Sequence, residues 1–336
     1  MTPLTTVSRA VGAEPPAGAV RGEQAGRLLQ QYGAPIVLLL VAGVAAVVFD
    51  GFASGANLAN LAITASFLAI IAVGMTFVII SGGIDLSVGS QFALGGVLAA
   101  WASQYGFAAA LALPLAVCGA IGLAQGWIIA RTGMAPFIVT LAGLLGARGL
   151  MLAVSNEGAE TYLVKSDAFA EIGQGRFLGL SYPVYSTLAL FVLGGLVLQR
   201  GRFGQRVYAV GGSEDAARLM GVPVARTKMQ VYLMTGLLAG LAGALNAARL
   251  SSGVTILGAG MELDVIAAVV IGGTLLTGGA GTLSGTLAGV LLLGVIQNII
   301  NQIGSLTSAY QQVVSGTFLA VVVVVQRYLS RLQRAA

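Results

Sequence analysis

The 336-residue chain contains no histidine. That removes the usual acid–base group at neutral pH and the commonest metal ligand. The one cysteine, Cys118, lies in an apolar run, so no disulfide framework forms within the chain. The only lysines, Lys165 and Lys228, do not follow a glycine in a G-x-x-x-x-G-K-S/T loop, so no P-loop hydrolyses ATP here. Charge is scarce, with 17 Lys/Arg and 12 Asp/Glu, while 57% of residues are hydrophobic and mean hydropathy is +0.92. These values exclude a soluble globular fold. The apolar runs are continuous, without the alternation that β-barrel strands need. The net charge of +5 reflects a one-sided distribution of Arg and carries no affinity for nucleic acid.

What is present is Leu, Val, Ile, Ala and 49 glycines. That composition suits an all-α, polytopic helical integral membrane protein whose helices pack through small residues. Ten spans are expected, near 32–49, 58–80, 86–104, 108–130, 136–155, 183–199, 229–249, 263–277, 283–303 and 310–327. Most approach the ~20 residues that cross a hydrocarbon core. Residues 1–31, rich in Ala, Gly, Pro and Thr, read as a flexible cytoplasmic lead-in, and 32–330 as the transmembrane domain. A cleaved signal peptide is the competing reading of the start. The apolar core arrives late and further spans follow, which favours an uncleaved first helix. An even number of spans puts both termini on one side. If that side is the cytoplasm, it holds thirteen of the seventeen cationic residues, with Lys165, Arg176 and Arg249 outside. The outer loop at 156–182 is mildly acidic. Trp101 and Trp127, near span ends, read as interface anchors.

The longest polar, basic interruption runs from Arg200 to Lys228. A helix of about eight residues is expected inside it, from Ser213 to Met220. Ser213 is a natural N-cap, and Glu214 and Asp215 fall where the positive end of the dipole favours them. Glu214 and Arg218 stand at i and i+4. Leu219 and Met220 end the helix, Gly221 suits the left-handed cap, and Pro223 blocks continuation. So short a helix makes sense mainly when docked against an aqueous partner. A well-capped solvated loop is the alternative.

Two glycine-rich breaks interrupt the apolar pattern, GGIDLSVGS at 82–90 and GGAGTLSGT at 278–286. At an offset of 196 they align Gly82 with Gly278, Gly83 with Gly279 and Gly89 with Gly285. Paired breaks suggest discontinuous helices and an internal pseudo-repeat beside a pathway, with chance the alternative. Freed backbone groups are tolerated there only inside protein or beside water. Asp85, Ser87 and Gln91 in or after the first break, with Asn246 and Asn298, are candidate pathway or gate residues. Asp85 reads equally as an interfacial helix cap. Asn57, Asn60, Thr64, Gln297 and Asn301 are among further polar residues in spans, which bind neighbouring helices or wet a route for a neutral polyol. Arg249, Glu262 and Asp264 form either an outer mouth that docks a partner or a structural clasp. No nucleophile–base pair and no metal set accompanies any of these, so no catalytic residue, metal or cofactor is assigned.

Five blocks recur in a familiar order: GGIDLSVGS, PFIVTLAGLLGARGL, YAVGGSEDAARLMGV, ARLSSG and ELDVIAAVVIGGTLLTGG. The chain resembles, from about Pro35 to Gln326, the permease subunits of bacterial ATP-binding-cassette sugar importers of the ribose, xylose, arabinose and galactose type. That resemblance implies an inner-membrane dimer, with an identical or paralogous second copy, a separate ATPase subunit and a periplasmic sugar-binding protein. It makes Ser213–Met220 the coupling helix seated in the ATPase. The family often has Asn where Ser213 stands, and both cap helices well. Relatives often carry a basic residue where this chain reads Gly278–Thr282, so no charge-based role falls there. Permeases for autoinducer-2, nucleosides or branched-chain amino acids remain open within the superfamily. A secondary carrier or channel is the rival outside it; scarce membrane carboxylates and absent histidine argue against proton coupling and leave sodium coupling open.

Overall fold

A computed structural model describes residues 17–303 and the isolated positions Val313, Gly316, Thr317, Ala320 and Val324. Its helices are α1 (Ala17–Val48), α2 (Gly55–Ile80), α3 (Val88–Ala102), α4 (Phe107–Thr132), α5 (Pro136–Val154) and α6 (Asp167–Gln174). They continue with α7 (Tyr182–Arg200), α8 (Arg202–Gly212), α9 (Glu214–Leu219), α10 (Val224–Leu250), α11 (Met261–Ile271) and α12 (Leu283–Ile303). A short hairpin, Arg176–Phe177 paired with Leu180–Ser181, and an isolated antiparallel bridge between Leu163 and Ser252 are the departures from an all-α chain among the described residues.

Six of these helices, and not ten, have the length and apolar character to cross a membrane: α2, α4, α5, α7, α10 and α12. The shortfall has local causes. The apolar part of α1 covers only Gly33–Val48. α3 and α11 are 15 and 11 residues long because glycine breaks flank them. The span expected at 310–327 lies outside the described residues apart from isolated positions. α1 begins at Ala17, ahead of the first expected span.

α2 and α10 form the buried centre, while α4, α5 and α7 show mostly apolar outer flanks. Exposed Leu145, Val192 and Leu193 on those flanks suit contact with lipid. α10 can sit so deep because it meets its partners with glycine. A Cβ on Gly236 would strike the Cys118 carbonyl oxygen of α4, and one on Gly243 the Phe92 carbonyl oxygen of α3. One on Gly240 would lie 2.8 Å from the Pro114 carbonyl oxygen. Backbone contact of this kind gives dispersion without a hydrophobic driving force, which lipid tails do not supply. Thr76 of α2 and Thr286 of α12 add a buried hydroxyl pair at 2.8 Å.

The loop at 156–182 is tied down. Ser166 Oγ caps α6 by accepting the Phe169 N–H at 3.3 Å, and the Phe169 ring is fully buried. Val164 N–H donates to Ser251 at 2.9 Å, Gly253 N–H to Tyr162 at 2.8 Å, and Lys165 N–H to Ser103 Oγ at 2.9 Å. The loop therefore closes the ends of α3 and α10 as a small lid of fixed shape.

Gly236→Leu should overpack the α10–α4 contact at a cost of about 1–3 kcal/mol or more. Gly195→Ala, where an added Cβ meets nothing within 4 Å, should be neutral. Thermal unfolding in detergent, followed by size-exclusion monodispersity, checks the contrast; equal midpoints would refute the packing argument.

Candidate functional site

The basic stretch contains two helices where one was expected. α8 occupies Arg202–Gly212, and Ser213 follows in extended backbone (φ −164°, ψ 112°). Ser213 Oγ accepts the Ala216 N–H at 3.3 Å, the cap that its residue type suggests. α9 is six residues long, Glu214–Leu219, with Met220 as its C-cap and Gly221 at φ +80°. It is shorter than expected because Ser213 and Met220 are caps and not helical turns.

Glu214 bonds twice. Arg218 Nη2 lies 3.0 Å from its Oε1, and Lys228 Nζ, in the first turns of α10, lies 2.6 Å from its Oε2. The second bond joins two helices across the turn at Gly221–Pro223. Below it, Ala217 packs with Val210 and Val224 in a small apolar cluster. Above it, Leu219 and Met220 are 91% and 72% exposed. α9 is thus a braced peg with an exposed apolar tip.

The rear of this element meets both glycine breaks. Tyr208 of α8 donates its hydroxyl to the Gly281 carbonyl at 2.6 Å, and Phe203 stacks on Phe77 of α2 at 5.8 Å. A Cβ on Gly211 would collide with the Ile80 carbonyl oxygen and reach 2.7 Å from the Gly279 nitrogen. The breaks also touch each other. Gly279 N–H donates to the Ile80 carbonyl at 2.9 Å, and Gly278 packs against Gly82. Gly82 and Gly278 share a left-handed backbone, φ +81° and +84°. Gly89 and Gly285 share a close approach to a glycine carbonyl, of Gly258 and Gly272. Gly279 is left-handed and its counterpart Gly83 is not, so the likeness of the two breaks is partial.

Asp85 is fully buried within the first break. Its Oδ1 accepts the Ser87 N–H at 2.9 Å and the Ser87 hydroxyl at 2.5 Å. It closes an Asx-type turn, while α3 has Ser87 at its N-cap without a side-chain cap bond. Ser87 Oγ in turn accepts from Gln91 Nε2 at 2.7 Å and Gln125 Nε2 at 3.0 Å. Asp85, Ser87 and Gln91 are therefore one network, which Gln125 completes from α4. Asn246 is apart from it, lining a narrow gap beside Phe92 and Leu257. Asn298 is apart from both. It exchanges amide bonds with Asn57 at 2.9 and 3.1 Å on the wall of a cleft of about 510 Å³ between α2 and α12, which Asp264 also lines.

Arg249, Glu262 and Asp264 face different neighbours. The Arg249 guanidinium lies 5.7 Å over the Phe67 ring, a cation–π contact. Glu262 abuts Gly89 at the start of α3, within the field of Arg148, whose Nη1 donates to the Leu257 carbonyl at 3.0 Å. Residues 251–260 cause this separation by running back along α3, with Gly253 against Val97 and Gly258 against Gly89. The contacts of Tyr208 and Gln125 are not legible in the sequence, since each partner lies far away along the chain.

A multi-pass helical protein with buried, glycine-broken helices and an exposed, capped short helix has the architecture expected of a membrane transporter. The chain belongs to the family described as branched-chain amino acid transport system / permease component, which matches residues 57–323. It is 39% identical over 302 residues to the ribose import permease protein RbsC of Bacillus subtilis strain 168, covering 89% of this chain and 94% of that one. It is 42% identical over 290 residues to the inner membrane ABC transporter permease protein YjfF of Escherichia coli K12, covering 84% and 87%. The L-arabinose ABC transporter permease protein AraH of Azospirillum brasilense is 36% identical over 311 residues, covering 92% and 91%. No solved structure matches.

Glu214→Ala and Lys228→Ala should be non-additive in thermal unfolding. Because Glu214 is partly exposed, the coupling should be about 0.5–1 kcal/mol and weaken with salt. Strict additivity would mean that the bridge does not brace α9.

Proposed function

We propose that this chain is the membrane-spanning permease subunit of an ATP-binding-cassette importer for a monosaccharide, with a ribose-type pentose as the first candidate. A separate ATPase subunit, a periplasmic sugar-binding protein and a second permease copy complete the assembly, and the chain itself catalyses no reaction. The observation that carries this reading is α9: a capped peg whose Leu219 and Met220 meet water while α8 behind it presses on both glycine breaks. A peg seated in a cleft of the ATPase gains from burying those two side chains. When the ATPase pair closes, α9 moves, and its bridge to Lys228 and its link through α8 carry the motion inward. Gly211 and Tyr208 then bear on Ile80, Gly279 and Gly281, where non-helical backbone yields more readily than a helix. The excess of Arg near α9 orients this end toward the cytoplasm and the 156–182 loop toward the binding protein. Several relatives are named for ribose or arabinose transport, which supports the sugar; the family description keeps a branched-chain amino acid as the second reading. Uptake of labelled pentose in competition with leucine separates the two.

Deleting Ser213–Met220, or reversing charge at Glu214 together with Arg218, should leave membrane insertion intact, release the ATPase on purification and abolish uptake. Retained uptake in such variants would remove the coupling role. Gly211→Val should behave differently: the ATPase still copurifies and hydrolyses ATP, but uptake falls because the added side chain meets the Ile80 carbonyl. Normal uptake in Gly211→Val would show that α8 does not act through the breaks.

A further inference from the structure

The hairpin that leads into α7 turns on residues of unusual chemistry. Leu178 and Gly179, its two central residues, both have positive φ, +48° and +83°. Two-residue turns of this kind favour Asn-Gly or Asp-Gly, because most other side chains are strained in the left-handed region. A leucine stands there instead, 84% exposed, beside Phe177 at 58%. The turn does not need that leucine and the core does not receive it. Phe177 packs edge-on to Tyr185 of α7, with 6.1 Å between ring centroids, and the Tyr185 hydroxyl donates to the Phe177 carbonyl at 2.7 Å. Tyr185 heads a stripe at helical spacing that continues through Leu188, Val192 and Leu196, all three exposed. The hairpin tip is therefore continuous with the flank of α7 that suits lipid. α7 is 19 residues long, roughly 28 Å, which nearly equals the ~30 Å of a hydrocarbon core. With α7 across a bilayer, its first turn and the hairpin joined to it lie at the edge of the hydrocarbon.

We propose that this hairpin is an interfacial membrane anchor: Phe177 and Leu178 enter the acyl edge of the leaflet, and Arg176 pairs with phospholipid phosphates. Arg176 is exposed at the start of the hairpin, and its long stem lets the guanidinium reach the headgroups while its neighbours sit deeper. Tyr182 and Tyr185, in the first turn of α7, are the amphipathic rings that collect at this level of a bilayer. Burying the leucine and the phenylalanine in lipid offsets the strain of a left-handed leucine. A water-soluble partner could cover the tip, but not the stripe that continues from it to bilayer depth; lipid covers both. Anchors of this kind set the depth and tilt of a span. Here the anchored span is α7, and the same hairpin is the end of the loop that closes α3 and α10, so it also fixes that lid relative to the membrane surface.

The test uses the full chain in phosphatidylcholine nanodiscs, with an environment-sensitive NBD dye on a single introduced cysteine. The wild type serves as the blank because Cys118 is buried. Leu178→Cys carries the probe at the tip, Arg176→Cys the probe at the headgroup level, and Glu157→Cys, exposed in the same loop, the probe in water. All three positions are exposed, and monodisperse size exclusion confirms that each variant folds. Emission at 178 should be blue-shifted and should fall at least twofold when the lipid includes phosphatidylcholine spin-labelled at acyl carbon 5. Arg176→Cys should respond more to a spin label on the headgroup, and Glu157→Cys to aqueous iodide alone. Iodide quenching at 178 as free as at 157, without quenching by spin-labelled lipid, overturns the anchor. A dye at 178 that is shielded from iodide and from spin-labelled lipid alike also overturns it, since a second copy of the chain would then cover the tip. Shielding that appears only when a soluble binding protein is added overturns it in favour of protein docking. The outcome does not depend on what the chain transports.

Discussion

A backbone group released from a helix inside a membrane must find a partner within the protein. In this chain the rule converges on one bond, from Gly279 N–H to the Ile80 carbonyl. Ile80 ends α2, and its carbonyl has lost its helical donor because the chain turns away at Gly82. Gly279 belongs to the other break, almost two hundred residues later. Each interruption thus satisfies the other, and the absence of a Cβ at Gly278 and Gly82 is what lets them approach. α8 lies over this junction with a glycine of its own, so the place where the helices are weakest is also where the water-exposed element touches them.

The rest of the fold makes that junction mechanically distinct. α10 is locked to α3 and α4 by backbone contacts that leave no slack, and Lys228 at its start ties α9 to the same rigid unit. In the coupling role proposed for α9, motion applied there would be shared between a closely packed helix and a turn held by fewer backbone bonds. The Asp85–Ser87–Gln91–Gln125 network sits beside the first break and ties it to α3 and α4. A buried carboxylate bound through one serine is a specific arrangement, because any shift of Ser87 disturbs its bonds to Asp85, Gln91 and Gln125 together.

Much of this was legible in the residues, for local reasons. Apolar run length places most spans, and the Ser213 cap and the left-handed Gly221 follow from residue type alone. The glycine breaks announce themselves as breaks. What was hidden depends on chain reversal. α8 is weakly signalled because RFGQRVYAVGG holds three glycines and two arginines around a short apolar stripe at Phe203, Val207 and Val210. Lys228 meets Glu214 only because Gly221 and Pro223 fold the chain back. Arg249 and the two acidic residues after it look like a clasp in sequence, yet residues 251–260 carry Glu262 away to Gly89 and leave Arg249 over Phe67. The amides of α2 and α12 were visible one by one as polar residues in spans. Their meeting in one cleft is a fact of tertiary packing, which no single helix encodes.

The exposed pair Leu219 and Met220 has a consequence for the life of the subunit. In the coupling role proposed for α9, a copy that lacks its ATPase would leave this adhesive spot uncovered, and such copies could stick to one another. Matched production of the two subunits would then protect the polypeptide, so that assembly order becomes part of its physical chemistry.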